Sequence, residues 1–454
     1  MKNRLIRTLN TRDSFLIISG NMIGIGIFTT TGYISTYVSS SGGMLLLWIL
    51  GGVLAFCGAL TYAELASHFP RAGGDFHYLS AAFHPFLGFL FGWSAFSVTY
   101  TGSIAVIAVG FASYFLNLFP ENVGQFQLII PWIGLTVSSL KLIAIGITFL
   151  FTLFNVRGIR TGARWQTFLT TVSILVLLAF IFLGITSPKG SWNHFKPFLP
   201  SDFQFSTISR YGVALVGIFF TYSGWTTIVY IAGEVREPQK TIPQAMWLSV
   251  VVVMILYILV NIVYIFALPL RGMVNVVDIG YRSLLQLRGE GWSLFFIFMI
   301  LIAVLSTLNS TILSGARIYY AMARSGQFFA AAGKLHPKTH CPVNALWLQF
   351  AWTVILILSG SFNQLLTYTV FVMVCFGFLS GASLFLFRKK ISRNSTFFRA
   401  WGYPFTTLLY LAISAWIMYD TLRARYLESL LGIALVLLGI PLYIYFHARK
   451  KRTL

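Results

Sequence analysis

The sequence predicts an all-α membrane protein of about 12 transmembrane helices, and three observations carry that reading. The chain of 454 residues is 57% hydrophobic, 17% aromatic and only 9% charged, with a mean hydropathy of +0.79. A soluble domain of this length does not have that composition. Apolar runs long enough to span a bilayer recur from end to end. The Lys and Arg residues sit mainly in the short loops between those runs.

The spans are expected at roughly 14–38, 44–67, 85–116, 139–156, 163–186, 208–232, 243–268, 291–322, 343–360, 364–387, 403–421 and 427–447. The first begins near Ser14 with no small-residue cleavage site after it, and reads as a permanent span rather than a signal peptide. The long runs 85–116 and 291–322 imply tilt, or helix that continues past the bilayer. An even number of spans puts both termini on one side. About 23 of the 32 Lys and Arg residues fall at the termini and even-numbered loops, including Lys2, Arg4, Arg157, Arg160, Arg164, Arg388 and Arg449. Both termini are therefore expected to be cytoplasmic, in a multi-pass protein of the cell (inner) membrane.

The net charge of +21 is spread through these loops, so it points to membrane orientation and not to nucleic acid. Cys57, Cys341 and Cys375 lie in or beside apolar segments without CxxC spacing, so neither a disulfide framework nor a metal site is expected. His68, His77 and His84 are not spaced as zinc ligands and read as solvated loop residues. No cofactor is expected. No HExxH, paired-aspartate or Walker-type motif is present to support a membrane enzyme or an ATP-driven pump.

Two spans are interrupted. The first contains Gly20-Asn21-Met22-Ile23-Gly24-Ile25-Gly26-Ile27-Phe28. Three glycines in seven positions disfavour a continuous helix. The sixth contains Phe219-Phe220-Thr221-Tyr222-Ser223-Gly224-Trp225, with small and polar residues at its centre. Paired interruptions in matching spans of two halves are the best sequence pointer to a transporter site. A broken helix presents free N–H groups at its new N-terminus, which suit a carboxylate, and free carbonyls at the other end, which suit an ammonium. An α-amino acid carries both groups on one carbon. The spacing of Gly20 and Gly24 alone would also serve helix packing.

At these residues the chain resembles the amino acid–polyamine–organocation superfamily, and in particular its L-type amino acid transporter branch. The blocks that carry the resemblance are the Gly20–Phe28 segment, Tyr62-Ala63-Glu64-Leu65 with Pro70 and Gly73-Gly74-Asp75, then Tyr222–Trp225 with Gly233-Glu234-Val235-Arg236-Glu237-Pro238. Ser314-Gly315-Ala316-Arg317 and the stretches 340–345 and 359–370 continue it nearly to the end. The resemblance implies an inverted five-plus-five repeat of the leucine-transporter type plus two C-terminal helices. The halves would run over 1–200 and 201–392, and the extra helices with the tail over 393–454. It also implies alternating access, with α-amino acids as substrates, often in obligatory exchange; a proton- or sodium-coupled symporter is the alternative. Carried onto this sequence, Ile23, Gly24, Ile25 and Gly26 would offer amides to the carboxylate. Carbonyls near Phe219, Phe220 and Tyr222 would take the ammonium, and Phe220 would be the aromatic gate.

The chain departs from that pattern twice. Many L-type members have a lysine in the fifth span where Ser173 aligns here. With Ser306 or Thr307 of the eighth span, Ser173 would form an ion or coupling site, or simply pack. The segment 117–140 contains no cysteine, so no disulfide-linked heavy chain is expected.

Glu64, near the end of the second span, is read as a gating salt bridge with a loop arginine such as Arg71 or Arg164. Glu234, Arg236, Glu237 and Lys240 are read as interfacial charges, and Tyr368 and Cys375 as tenth-span residues approaching the substrate. Apart from Glu64 the span cores carry essentially no acid and no central base, which points to neutral amino acids. Gly24, Gly26 and Gly224 leave room beneath Phe220.

Overall fold

The computed structural model describes residues 7–119, 126–130, 135–157, 159–199, 205–360, 362–390 and 397–453. Lys2, Arg4 and the side chains of Arg160, Arg164 and Arg449 lie outside the described residues. The first span is two helices, α1 (Thr11–Met22) and α2 (Ile25–Ile34). Asn10 and Asp13 close α1 with a reciprocal capping box at 2.9 and 3.1 Å, a device that stabilises a helix start by about 1 kcal/mol. The second span, α3 (Ser41–His68), starts from a Ser40 cap. The short α4 (Asp75–Ala82) follows a glycine pair, in which Gly74 at φ 46° takes a conformation that a side chain disfavours.

The third span is α5 (Pro85–Ser94), a π-helical turn over Ala95–Thr99, and α6 (Tyr100–Leu116). The wide turn leaves the Phe96 carbonyl to accept the Thr101 hydroxyl at 2.7 Å, and such turns concentrate at functional sites. Outside the spans β1 (Gln127–Ile130) and β2 (Leu135–Ser138) pair as an antiparallel ribbon, an element the sequence reading lacks. The fourth and fifth spans are α7 (Ser139–Val156) and α8 (Ile159–Ile185).

The sixth span runs from α9 (Phe205–Tyr222) through a 3-10 turn at Ser223–Thr226 into α10 (Thr227–Tyr230). Then come α11 (Pro238–Ala267), the short α12 (Leu270–Met273) and α13 (Ile279–Arg288), the long α14 (Glu290–Arg324), α15 (Val343–Ser359) and α16 (Phe362–Lys390). The chain closes with α17 (Phe405–Ala424), α18 (Tyr426–Leu437) and α19 (Gly439–Thr453). Among the described residues, 11 helical spans are long and apolar enough to cross a membrane, and Val343–Ser359 is a shorter apolar helix in the place expected for the ninth span. The protein is thus an all-α multi-pass membrane protein.

Burial sorts the spans. The most hydropathic windows of Pro85–Leu116, Thr11–Ile34 and Ile208–Tyr230 are 100%, 89% and 89% buried, against 22% for Tyr426–Ala448. The interrupted spans therefore form the centre, and the last helices lie on the outside. One end of the bundle gathers the segments expected on the cytoplasmic side. Thr8 and Leu9 donate N–H bonds to the Glu234 carbonyl at 2.9 and 3.0 Å, and Gly73 donates to Tyr230 at 3.1 Å. Ala400 donates to the Glu64 carboxylate at 2.7 Å.

Candidate functional site

The first break is built from glycine and hydroxyl contacts. Ile23 leaves the helical region at ψ 91°, and Gly24 is fully extended at φ −147° and ψ −154°. A Cβ on Gly24 would collide with the Thr307 side chain, and one on Gly26 would stand 2.5 Å from Thr221 Oγ1 and 3.0 Å from Thr221 Cα. Glycine therefore lets α14 and α9 approach the broken backbone. The orphaned carbonyls find hydroxyl partners. Thr307 lies 3.0 Å from both the Gly20 and Ile23 carbonyl oxygens, and the Tyr257 hydroxyl donates to the Met22 carbonyl at 2.5 Å. The amides are treated differently. Gly24, the N-cap of α2, gives the first turn no side-chain acceptor. A buried donor left without a partner costs roughly 1–3 kcal/mol, so this end of α2 is prepared for an anionic or carbonyl oxygen from a ligand.

A chamber opens there. It is lined on one side by Asn21, Gly24, Ile25 and Gly26, and on the other by Phe220, Thr221, Ser223 and Gly224. The sixth span does not unwind as the first does. It tightens into a 3-10 turn, with the Ser223 hydroxyl on the Phe220 carbonyl at 2.8 Å and the Thr226 hydroxyl on the Ser223 carbonyl at 3.2 Å. Part of the acceptor capacity expected for an ammonium is thus already engaged by hydroxyls. Among the described residues, none of the side chains lining the chamber is charged.

Of the residues expected at the site, Gly24, Ile25, Gly26, Phe220 and Gly224 line the chamber. Ile23 is fully buried behind them. Phe219 lines a neighbouring cavity instead. Tyr222 points away, its hydroxyl 3.3 Å from the Trp48 carbonyl and its ring against Trp48 and Tyr257. Sequence reasoning missed Asn21, which accepts from Thr311 at 3.0 Å and donates to Thr227. It also missed Thr99, Tyr100 and Ser103, which reach the chamber from the π-turn region of the third span, and Met373 of α16. A π-turn has no clear signature in one sequence. Tyr368 and Cys375 do not line this chamber; their neighbour Met373 does.

The three residues read as a coupling site separate. Thr307 fastens the first break, and Ser306 lies within 2.9 Å of Gln166 Nε2 and 3.1 Å of Thr170 Oγ1. Ser173 is not joined to them, because its hydroxyl donates to the Leu169 carbonyl of its own helix. Thr170 occupies that place and donates to the Leu16 carbonyl at 2.9 Å. Asn309 and Asn155 extend the chain of polar contacts to α7 at 2.9 and 2.8 Å. Among the described residues no cluster of His, Cys, Asp and Glu is placed to hold a metal ion.

The charged residues also differ from expectation. Glu64 pairs with Arg388 of α16, at 2.7 and 2.6 Å, rather than with Arg71, and the side chain of Arg164 lies outside the described residues. The guanidinium also stacks on Tyr403, 3.7 Å from the ring centre. Glu234 is not interfacial: it and Arg317 are each 1% exposed and meet at 3.1 Å. The span cores therefore do contain an arginine, but one committed to Glu234 and to the Leu313 carbonyl. The loop histidines serve local geometry. His84 accepts the Phe86 N–H at 3.2 Å, and His77 contacts the Ala72 carbonyl at 2.9 Å while burial pushes its imidazole below the ordinary range.

Comparison with known proteins meets this geometry directly. The family model for amino acid permeases matches residues 9–439, nearly the whole chain. The chain belongs to the amino acid permease family. The permease is 26% identical to the serine/threonine exchanger SteT of Bacillus subtilis, over 99% of this chain and 98% of that protein. It is 28% identical to the human large neutral amino acids transporter small subunit 2, over 96% of this chain and 80% of that protein. It is also 28% identical to the human cystine/glutamate transporter, over 99% and 87% of the two chains. The resemblance in the broken first span thus extends to the permease as a whole.

Proposed function

We propose that the permease is a secondary transporter that exchanges neutral α-amino acids across the cell membrane by alternating access. The single observation that carries this reading is the uncapped start of α2, where Gly24, Ile25 and Gly26 line a chamber free of charged side chains. The substrate carboxylate would take the first-turn amides, and its ammonium the polar turn of the sixth span. The hydroxyl groups of Thr99, Ser103, Thr226 and Thr311 favour a small side chain such as that of alanine, serine or threonine. Exchange is favoured over sodium symport because the Thr307 hydroxyl, 3.0 Å from both the Gly20 and Ile23 carbonyl oxygens, already ties these acceptors to α14. We assign it no enzymatic activity. The helical repeats would run over 1–200 and 201–392, with 393–454 peripheral and both termini cytoplasmic. The segment 117–140 offers no cysteine for a heavy chain, which supports a stand-alone protein.

Carboxylate recognition is tested with purified protein in detergent. Serine is expected to raise the melting temperature, and serinol, which replaces the carboxylate with a hydroxymethyl group, is not. Equal shifts would remove the amide site from the account.

Phe220 lines the chamber and is 8% exposed, as a gate at the substrate would be. Phe220→Ala is expected to lower the exchange rate at least about tenfold, equivalent to ~1.4 kcal/mol of barrier, while affinity changes less than threefold. Equal losses in rate and affinity would make Phe220 a binding residue.

A further inference from the structure

A second cavity adjoins the chamber and shares Thr99, Tyr100, Ser223, Thr226 and Met373 with it. Its character is different. Aromatic rings dominate the wall, among them Tyr62, Trp225, Tyr230 and Tyr410, and among the described residues Asp75 is the one charged residue lining it. Asp75 is 1% exposed. It is held by two tyrosines: the Tyr62 hydroxyl donates to Oδ1 at 2.6 Å, and the Tyr230 hydroxyl to Oδ2 at 2.5 Å. No described ion pair includes it.

A buried carboxylate with no cation is costly. Burial pushes the Asp75 carboxyl above its ordinary range, against the opposing hydroxyls of Ser380, Tyr230 and Tyr62. All of these partners are uncharged, so the hydrogen bonds leave the negative charge of the carboxylate without a counter-ion. The surrounding ring faces attract cations in their own right. Carboxylate and rings together match a small organic ammonium. A group of that kind is already present on every α-amino acid, and the two cavities share five lining residues.

The position gives direction. Asp75 opens α4, directly after the segment that Gly73 ties to Tyr230 by a 3.1 Å hydrogen bond. This is the end of the bundle that carries the Glu64–Arg388 pair.

We propose that the second cavity is a transit station for the α-ammonium of the transported amino acid, occupied between the central chamber and the face of the protein that carries residues 69–74. The proposal rests on the reading of the permease as an α-amino acid transporter. As the substrate moves, its carboxylate gives up the α2 amides, and Asp75 takes over charge compensation of the ammonium. Tyr62 and Tyr230 keep the carboxylate aimed into the cavity.

The test compares serine counterflow in right-side-out and inside-out membrane vesicles. In Asp75→Asn the KM on the face carrying residues 69–74 is expected to rise about tenfold, and the KM on the opposite face to stay within twofold. Equal rises on both faces, a rise on the opposite face only, or no rise at all would overturn the station. A measurement on the wild type alone guards against misfolding of the variant. The amine n-butylamine should inhibit from the face of residues 69–74 and not from the other, while uncharged n-butanol inhibits from neither. Absence of that inhibition, or inhibition from both faces alike, would overturn it too. Wild-type vesicles with no counterflow of any amino acid would instead defeat the transport reading. The cavity would then be judged by whether n-butylamine raises the melting temperature of the purified wild type, as the carboxylate and rings require.

Discussion

Gly26→Ala is expected to abolish measurable substrate binding, with Kd raised at least about a hundredfold, or ~2.7 kcal/mol. The added Cβ would stand 2.5 Å from Thr221 Oγ1 and 3.0 Å from Thr221 Cα. The hydroxyl can rotate away, but the Cα cannot, so α2 must move back from α9. That movement displaces the first-turn amides from the chamber. Misplacement of a binding group by even about 1 Å is costly in a preorganised site. The control is Gly146→Ala in α7, where an added Cβ meets nothing within 4 Å. Binding is read by thermal shift or by labelled-substrate binding in detergent. Wild-type affinity in Gly26→Ala would mean that the substrate does not use this end of α2.

The second large effect is on stability. Arg317→Met is expected to destabilise the permease by about 3–5 kcal/mol, because it strands a buried carboxylate. Glu234 and Arg317 are each 1% exposed, and the same Glu234 residue receives the Thr8 and Leu9 N–H groups on its carbonyl. The pair thus joins α14 to the segment after α10 and to the start of the chain. In the double variant Glu234→Gln with Arg317→Met, most of the loss should return, since no uncompensated charge remains. Thermal unfolding in detergent reads both. A double variant as unstable as the single would show that Arg317 acts through packing and its bond to the Leu313 carbonyl rather than through charge.

Hydrophobic length fixes the number and position of spans, so these were legible with boundaries within several residues. The ninth span is the short one, because α15 has 17 residues in the structure. The first break was legible because it is written in the backbone: Gly20, Gly24 and Gly26 lie within seven positions. The sixth-span interruption was legible in place but not in form. Ser223 and Gly224 announce an irregularity, yet a 3-10 turn and an unwound segment have the same composition.

Side-chain partners were the least legible part, since they depend on helix rotation and on distant segments. Glu64 meets Arg388 across 324 positions, and Glu234 meets Arg317 across 83. Ser173 and Thr170 differ by less than one helical turn, and only Thr170 faces the first span. Asp75 lies between the expected spans 44–67 and 85–116, and nothing in its sequence position shows that it is buried. The Gly73–Gly74 turn folds it inward against Tyr62 and Tyr230.

The central claim, exchange through the broken-helix chamber, is tested most directly by uptake of labelled serine into proteoliposomes, with and without unlabelled serine inside, at fixed pH and sodium. The account predicts rapid uptake only into loaded vesicles, unaffected by a sodium gradient and lost in Gly26→Ala. Equal uptake into empty vesicles driven by a sodium or proton gradient would contradict it, and would make the permease a symporter.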